Sequence, residues 1–459
     1  LGVMLPYTPL HHLLMGEEFD LLVMTSANRS GEPLITENKE AVVKLNGIAD
    51  YWLSHNRDIY HPCDDSVLRV INKQPVFYRR ARGYVPLPLE MDEEFLPVMG
   101  VGGDIKNTFC LLKKNMAFVS QHGGDLSNYD NYKQFVRAVN SFQRIVDLKP
   151  AAIAYDLHPE YHSTRYARTQ SLPGIGVQHH HAHLAGCLAE NGVKEKVLGV
   201  VCDGTGYGLD GKIWGFEFLW GDRREFERVG HLEYLPLPGG DLAAKFPARI
   251  AAAYLIKLFG RDYLKFRHYL ADLPDEEIEL IEHQVEKGFN TFDTSSCGRL
   301  FDAVSALLGI CTIVNYEGQA AIELEAKLDP AESGAYPFEI DTREPTLRIR
   351  VKALFAGILA DLAQGSDAGR LAAKFHNTVG NMVLECVKHL GQKAGSKQVA
   401  LSGGVFQNKY LAEYLIPRLE SSGFSVYRHS RFSPGDGALC LGQAVVASEV
   451  IKNVSGDSC

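Results

Sequence analysis

Apolar residues in this chain come in two spacings. Short runs such as Leu68–Ile71, Pro75–Tyr78, 151–155, 175–178 and 197–202 have strand length and are bounded by turn residues. The run 213–220 has an alternating pattern and predicts a strand. Helical spacing is clearest for Phe135, Val139, Phe142 and Val146, and again for Leu371, Phe375, Val379, Met382, Cys386 and Leu390. The apolar run LLVMTSAN (21–28) predicts a strand ending in a small polar loop. PVMGVGGDIKNTFCLLKKNMAFVSQ predicts strands separated by turns at Gly102-Gly103 and Lys114-Asn115.

The order of these elements predicts an α/β protein. A first unit runs over 1–90, and VPLPLE (85–90) followed by an acidic run reads as its linker. A second unit, 96–459, mixes hairpins with strand–helix repeats and divides into two lobes. Each lobe carries a strand, a glycine loop and a helix: VVCDGTGYG near 203 and ALSGGVFQN near 404. Two such halves facing a cleft would cradle a nucleotide.

Composition narrows the classes. The chain of 459 residues is 46% apolar and 22% charged, so it can bury a large core. Its formal charge of −9 argues against a protein built to grip nucleic acid. Nine cysteines form no CxxC pair and sit mostly in apolar runs, which predicts buried thiols in a reducing cytoplasm. No apolar run is long enough to span a bilayer. The chain opens on Leu1 rather than Met, and is expected to be a fragment that lacks an N-terminal part.

Four histidines fall within five positions, Gln178-His179-His180-His181-Ala182-His183. His179 and His183 stand at i and i+4, share a helix face and can converge on one metal, with His180 and His183 as a competing i, i+3 pair. Asp203 in DGTGYG and Asp436 in PGDGA follow strands among glycines and offer oxygen ligands. Taken singly, either aspartate is as well explained as a turn or cap residue. Two imidazoles with two carboxylates suit iron, zinc or manganese better than calcium. The glycines of SGGVFQN (402–408) present backbone N–H groups to an anion, usually phosphate. Three glycine loops in one unit look like the phosphate loops of an actin/sugar-kinase type fold. Thr25-Ser26-Ala27-Asn28, Ser66 and the arginines of 79–82 suit a phosphate or carboxylate, though a capped turn and a basic surface strand explain them as well.

VMTSANRSGEP, HNRDIYHPCDDSVLRV and YRRARGYVP resemble the later part of a YrdC-type domain. VGGDIKNTFCL, YDLHPEYHSTRYA, VQHHHAH, VCDGTGYGLDG, SSCGRLFDAVSALLGI, YEGQAAIELE, SGGVFQN and SPGDGALCLGQA look like the domain shared with threonylcarbamoyl-tRNA synthesis proteins. Together and in this order they resemble the HypF family of hydrogenase-maturation carbamoyltransferases. The resemblance implies a partial YrdC-like domain followed by an actin-like (ASKHA) carbamoyltransferase domain in two lobes. It also implies a relay: carbamoyl phosphate is hydrolysed, carbamate and ATP give carbamoyl-adenylate, and the carbamoyl group passes to the C-terminal cysteine of the partner HypE. That product leads to the cyanide ligands of the [NiFe] centre. The family's acylphosphatase-like domain, zinc-binding CxxC region and YrdC front are not matched here, so the complete reaction is expected of a longer protein.

Carried over residue by residue, the resemblance selects His179, His183, Asp203 and Asp436 as ligands of one transition metal, iron or zinc. It places Asp302, Gly318, Glu323, Gly403, Gly404 and Asn408 around the nucleotide, with Mg accompanying ATP. Carboxylates in helix-like stretches are common, so Asp302 and Glu323 are also explained as ordinary helix residues. Ser26, Asn28, Ser66 and Arg79 are candidates for the YrdC-like site. No catalytic side chain beyond the metal site is expected, and the nucleophile should come from the partner. Cys459 is expected to be a mobile tail. No nucleic acid or membrane partner is expected. The alternatives are O-carbamoyl or tRNA threonylcarbamoyl transfer, and a non-catalytic nucleotide-binding scaffold of actin-like fold. An ATP-dependent sugar kinase has no use for the four histidines.

Overall fold

The structure, a computed structural model, describes residues 2–456; Cys459 lies outside the described residues. Chain order begins with helices α1 (Pro9–Met15) and α2 (Asn38–Lys44), hairpin β1 (Val67–Ile71) and β2 (Gln74–Arg79), and strands β3 (Leu89–Phe95), β4 (Val98–Gly100) and β5 (Cys110–Val119). Then come α3 (Tyr129–Val146), β6 (Ala152–Asp156), α4 (His162–Thr169), β7 (Gly174–Val177), α5 (His179–Glu190), β8 (Val197–Tyr207), β9 (Ile213–Gly221), β10 (Phe226–Leu232) and β11 (Leu235–Pro238). The remainder comprises α6 (Asp241–Lys245), α7 (Pro247–Phe259), α8 (Asp275–Lys287), β12 (Thr291–Thr294), α9 (Cys297–Leu307), α10 (Gln319–Lys327), β13 (Glu339–Asp341), β14 (Leu347–Arg350) and α11 (Lys352–Ala363). It ends with α12 (Ala368–Ala394), β15 (Gln398–Ser402), α13 (Lys409–Ser421), β16 (Ser425–Arg428) and α14 (Leu439–Gly456).

Two sheets share one plan. The first has the order β3-β5-β4-β6-β7 and the second contains β10-β9-β8-β15-β16. In both, three antiparallel strands are followed by two parallel ones. The expected two-lobed α/β arrangement is therefore present. The second sheet is extended by β13, β14, β11 and β12. The hairpin β1–β2 turns through Asn72 and Lys73, both left-handed, and docks on the second lobe. There the Tyr78 hydroxyl donates to the Gln407 carbonyl (2.7 Å), and Arg69 pairs with Glu325 (3.0 Å).

Three sequence expectations are corrected. Residues 21–28 form no strand. An extended segment needs a neighbour to take its backbone hydrogen bonds, and no described strand runs beside it. The expected linker at 85–90 instead runs into β3, whose Leu89, Met91 and Phe95 are buried on one face of the first sheet. Its period of two was hidden by the acidic residues on the other face. Lys114-Asn115 is not a turn: β5 runs through it, with Lys114 left-handed where the pairing with β3 changes register. All eight described cysteines are free; seven are buried and Cys63 is partly exposed. No described helix is long and apolar enough to cross a membrane.

The lobes exchange helices. Helix α5 leaves the first sheet and packs on β8 and β15 of the second, whereas α14 leaves the second and packs on β4, β5 and β6 of the first. The two helices meet through small residues. A Cβ on Gly442 would stand 1.8 Å from the Ala182 carbonyl oxygen, and one on Gly186 would stand 3.4 Å from the Gly442 nitrogen. Elsewhere, buried His376 of α12 bonds the Ala372 carbonyl through Nδ1 (2.7 Å) and the Asn408 amide through Nε2 (3.0 Å). Burial pushes its pKa down to about 4.

Two tests follow from this packing. Gly442→Ala should destabilise the fold by about 2 kcal/mol, because a backbone carbonyl cannot yield as a side chain can; denaturant unfolding measures it. For His376 the unfolded chain holds the extra proton between about pH 4 and 6.5. Stability should therefore be full above about pH 6.5 and fall as pH drops toward 4, by about 3 kcal/mol from this group. The slope of unfolding free energy against pH, compared with that of His376→Asn, reads this contribution.

Candidate metal centre and nucleotide cleft

The histidine run forms the start of α5. Gln178 caps it, accepting from the His181 N–H (2.9 Å), and all four imidazoles are buried. The i, i+4 spacing brings His179 and His183 to one side of the helix, facing the ends of β8 and the 433–437 loop. His181 turns away and bonds the Asp222 carbonyl (3.0 Å). His180 stands beside Trp214, with ring centroids 5.9 Å apart, and its Nε2 is buried without a partner.

Both expected carboxylates reach the histidine pair. His179 Nε2 is 3.3 Å from Asp203 and 3.7 Å from Asp436; His183 Nε2 is 3.4 Å and 3.5 Å from them. One donor atom from each of the four residues lies within 4.8 Å of the other three. Asp203 is delivered differently from expectation. It lies within β8 rather than after it, at an irregularity between Cys202 and Gly206. Four residue steps on β8 oppose two on β9 there, so the strand bulges toward α5. Gly206 is required on this path, because a Cβ there would meet His180 at 2.4 Å and His179 at 2.8 Å.

A buried carboxylate missed in the sequence completes the arrangement. Asp156, at the end of β6, accepts from His179 Nδ1 at 2.7 Å and from the His158 N–H at 2.8 Å. This fixes the tautomer so that Nε2 faces the cluster. The signal was there: an apolar run ends on aspartate in AIAYD, as another does in VLGVVCD, although β8 continues past its aspartate.

The field at the cluster favours positive charge. Burial pulls the His179 pKa down, but Asp156, Asp203 and Asp436 lift it well above an ordinary imidazole. Burial likewise opposes His183, which Asp203 and Asp436 raise. Burial would raise Asp203, yet the two imidazoles hold it well below the usual carboxylate range. Both nitrogens of His183 are buried without a hydrogen-bond partner. An unpartnered imidazole facing two carboxylates is a donor set that fits a divalent transition metal, which would displace the imidazole protons.

The glycine turn after β15 abuts this cluster. The Gly404 N–H donates to Asp203 Oδ1 (3.1 Å). Gly403 has φ +101°, and a Cβ there would stand 2.2 Å from the Cys202 carbonyl oxygen. Asn408 is committed internally: its Oδ1 accepts from the Leu411 N–H (2.8 Å) and caps α13, and its amide nitrogen meets His376. Asp302 is buried and paired with Arg299 (2.9 Å). The Arg299 guanidinium lies 3.8 Å from where a Gly204 Cβ would be. Gly318, left-handed at φ +76°, opens α10, where Glu323 accepts from Gln319 (2.8 Å).

The four YrdC-like candidates are dispersed by comparison. Ser26 is exposed. The Asn28 amide closes its own turn on the Arg29 and Glu32 carbonyls. Ser66 pins the hairpin, donating to the Arg82 carbonyl and accepting from the Ala81 N–H (both 2.9 Å). Arg79 pairs with Asp64 (3.5 Å) and lines a small cavity with Arg80, Lys106 and His122. Among the described residues, no hydrogen bond joins Ser26 or Asn28 to Ser66 or Arg79.

Known proteins match this arrangement along the chain. Residues 1–81 match the family described as "Telomere recombination" (Sua5/YciO/YrdC), and 93–190 match "HypF Kae1-like domain". Residues 199–443 match "Carbamoyltransferase, Kae1-like Domain, second subdomain". Carbamoyltransferase HypF of Synechocystis sp. is 39% identical over 96% of this chain and 59% of its own length. A carbamoyltransferase HypF homolog of Cupriavidus necator is 37% identical over 78% of this chain and 93% of its own length. The crystal structure of full-length HypF in the phosphate- and nucleotide-bound form superposes with a TM-score of 0.95, at 42% identity, over 98% of this chain and 71% of that one. The chain thus spans 59% of the length of the Synechocystis relative. Sequence and fold agree in one assignment: the chain belongs to the HypF family of carbamoyltransferases.

Proposed function

We propose that this chain carries the transfer half of a HypF-type reaction. Carbamoyl-adenylate, formed from carbamoyl phosphate and ATP with Mg, enters the cleft between the lobes. The C-terminal cysteine thiolate of HypE then attacks its carbonyl carbon. The carbon–sulfur bond forms, the carbon–oxygen bond to phosphate breaks, and AMP leaves with the electron pair. A thiolate is a strong nucleophile and AMP a good leaving group, so no further side-chain nucleophile is needed. The resulting thiocarbamate is the precursor of the hydrogenase cyanide ligands. The role belongs to the reducing cytoplasm, where thiols stay free.

The observation that carries this reading is the four-donor cluster beside the glycine turn, buried except for a partly exposed Asp436. His179, His183, Asp203 and Asp436 would hold iron or zinc, which supplies a Lewis acid for a carbonyl or phosphoryl oxygen. Asp156 orients His179, and the buried walls of the cleft keep water from the labile carbamoyl group. Asp302, Gly318, Glu323, Gly403, Gly404 and Asn408 frame the nucleotide side of the cleft. Among these, Gly403 and Gly404 offer the closest backbone approach, and Asn408 acts as the support of their turn. Ser26, Asn28, Ser66 and Arg79 are assigned to the adenylating, YrdC-like site.

Purified protein given carbamoyl-adenylate and a peptide ending in the partner's cysteine should yield a carbamoylated peptide by mass spectrometry. Label on a small-molecule hydroxyl or on tRNA instead would favour the alternative acceptors, and a stable adduct on Cys459 would place the acceptor in this chain. His183→Ala should abolish metal loading with the fold intact by circular dichroism. Asp156→Asn should weaken metal binding about 10- to 100-fold without removing a ligand. Elemental analysis and metal titration read both, and a full metal complement in His183→Ala would discard the ligand assignment.

A further inference from the structure

Outside the metal ligands lies a second chain of polar groups, buried and continuous. Glu190, the last residue of α5, accepts from His429 Nδ1 at 2.7 Å. Its other oxygen takes the Ser430 and Arg431 N–H groups (2.6 and 2.5 Å). On the far side of the ring, His429 Nε2 meets Ser402 Oγ at 3.0 Å. Ser402 ends β15 and opens the glycine turn. Serine, histidine and carboxylate in this order have the connectivity of a nucleophilic triad. Here they do not serve as one. Ser402 is 1% exposed and His429 3%. The amides that could bind an oxyanion are already used: the Gly403 N–H on the Pro434 carbonyl (2.8 Å) and the Gly404 N–H on Asp203.

The contacts of this chain indicate what it does. Its carboxylate end sits on the helix that bears His179 and His183. Its serine end fixes the turn whose next amides hold Asp203 and the carbonyl two residues before Asp436. Ser402 Oγ also lies 3.4 Å from that same Pro434 carbonyl. One series of hydrogen bonds therefore touches all three segments that deliver the four donors. The carboxylate accepts the Nδ1–H hydrogen bond, and in the neutral ring Nε2 then accepts from the serine, so the tautomer and the serine hydrogen are set together.

We propose that Glu190, His429 and Ser402 are positioning residues for the metal centre, holding the two carboxylate-bearing loops in register with the histidine helix. This rests on the metal reading given above. Glu190→Gln keeps the volume but presents an N–H to His429, which turns the tautomer and leaves Nε2 as a donor to the serine. Ser402→Ala removes a single hydroxyl.

The test loads wild type, Ser402→Ala and Glu190→Gln with Co²⁺ alone, then competes with Zn²⁺. Visible spectra report the ligand geometry and titration reports affinity. Leu390→Ala, a core truncation in α12, controls for loss of stability. Both relay variants should bind about tenfold more weakly and shift the cobalt bands, whereas Leu390→Ala lowers Tm and leaves the bands in place. If Glu190→Gln does not fold, Ser402→Ala alone decides. Unchanged bands and affinity in Ser402→Ala, with His183→Ala unable to bind, would overturn the relay and leave the metal reading standing. A wild type that takes up no cobalt would overturn both.

Discussion

The site depends on one close approach. Where α5 crosses α14, Gly442 lies directly under the Ala182 carbonyl, with no room for a methyl group. Ala182 immediately precedes His183, so the crossing sets the height of the histidine face. Each of these helices begins in one lobe and packs on the sheet of the other. The imidazoles thereby arrive from the first lobe and the carboxylates from the second, and they meet at the seam. A larger residue at the crossing would push the helices apart and separate the ligands that the seam brings together.

Electrostatics reinforces this geometry. A buried carboxylate is costly unless it is paired, and here Asp156, Asp203 and Asp436 surround two imidazoles. The cluster is balanced only when positive charge is present, as protons on the rings or as a cation. Its hydrogen bonds are incomplete on their own, since His183 has none. One divalent ion would satisfy the same groups together and so join the fold of the cleft to its occupancy.

The sequence showed the parts of this design that are local. The spacing of His179 and His183 is a property of one helix, and the amphipathic helices α3 and α12 run where their periodicity places them. Glycines beside Asp203 and Asp436 marked both carboxylates as ligands that could complete the histidine pair, and the resemblance selected the same four residues. What stayed hidden is long-range. Asp156 meets His179 across 23 positions, and Ser402, His429 and Glu190 come from three separate elements. No local pattern distinguishes His429 from an ordinary strand-end residue. The strand expected at 21–28 failed for the reverse reason: its composition was right, but a strand exists only through its neighbour. Asn408 shows that a motif residue can be committed to a cap and a buried histidine, contacts that a motif alone does not reveal.

The irregularity in β8 bears on how this chain can change in length. Two surplus residues lift Asp203 out of the ladder, and because two is an even number, Gly206 and Tyr207 rejoin β9 with their alternation preserved. Losing or gaining a single residue there would reverse the faces of everything beyond it. The segment from Cys202 to Tyr207 therefore has no slack of one residue: such a change would turn Gly206 off the face where it lies against His179 and His180.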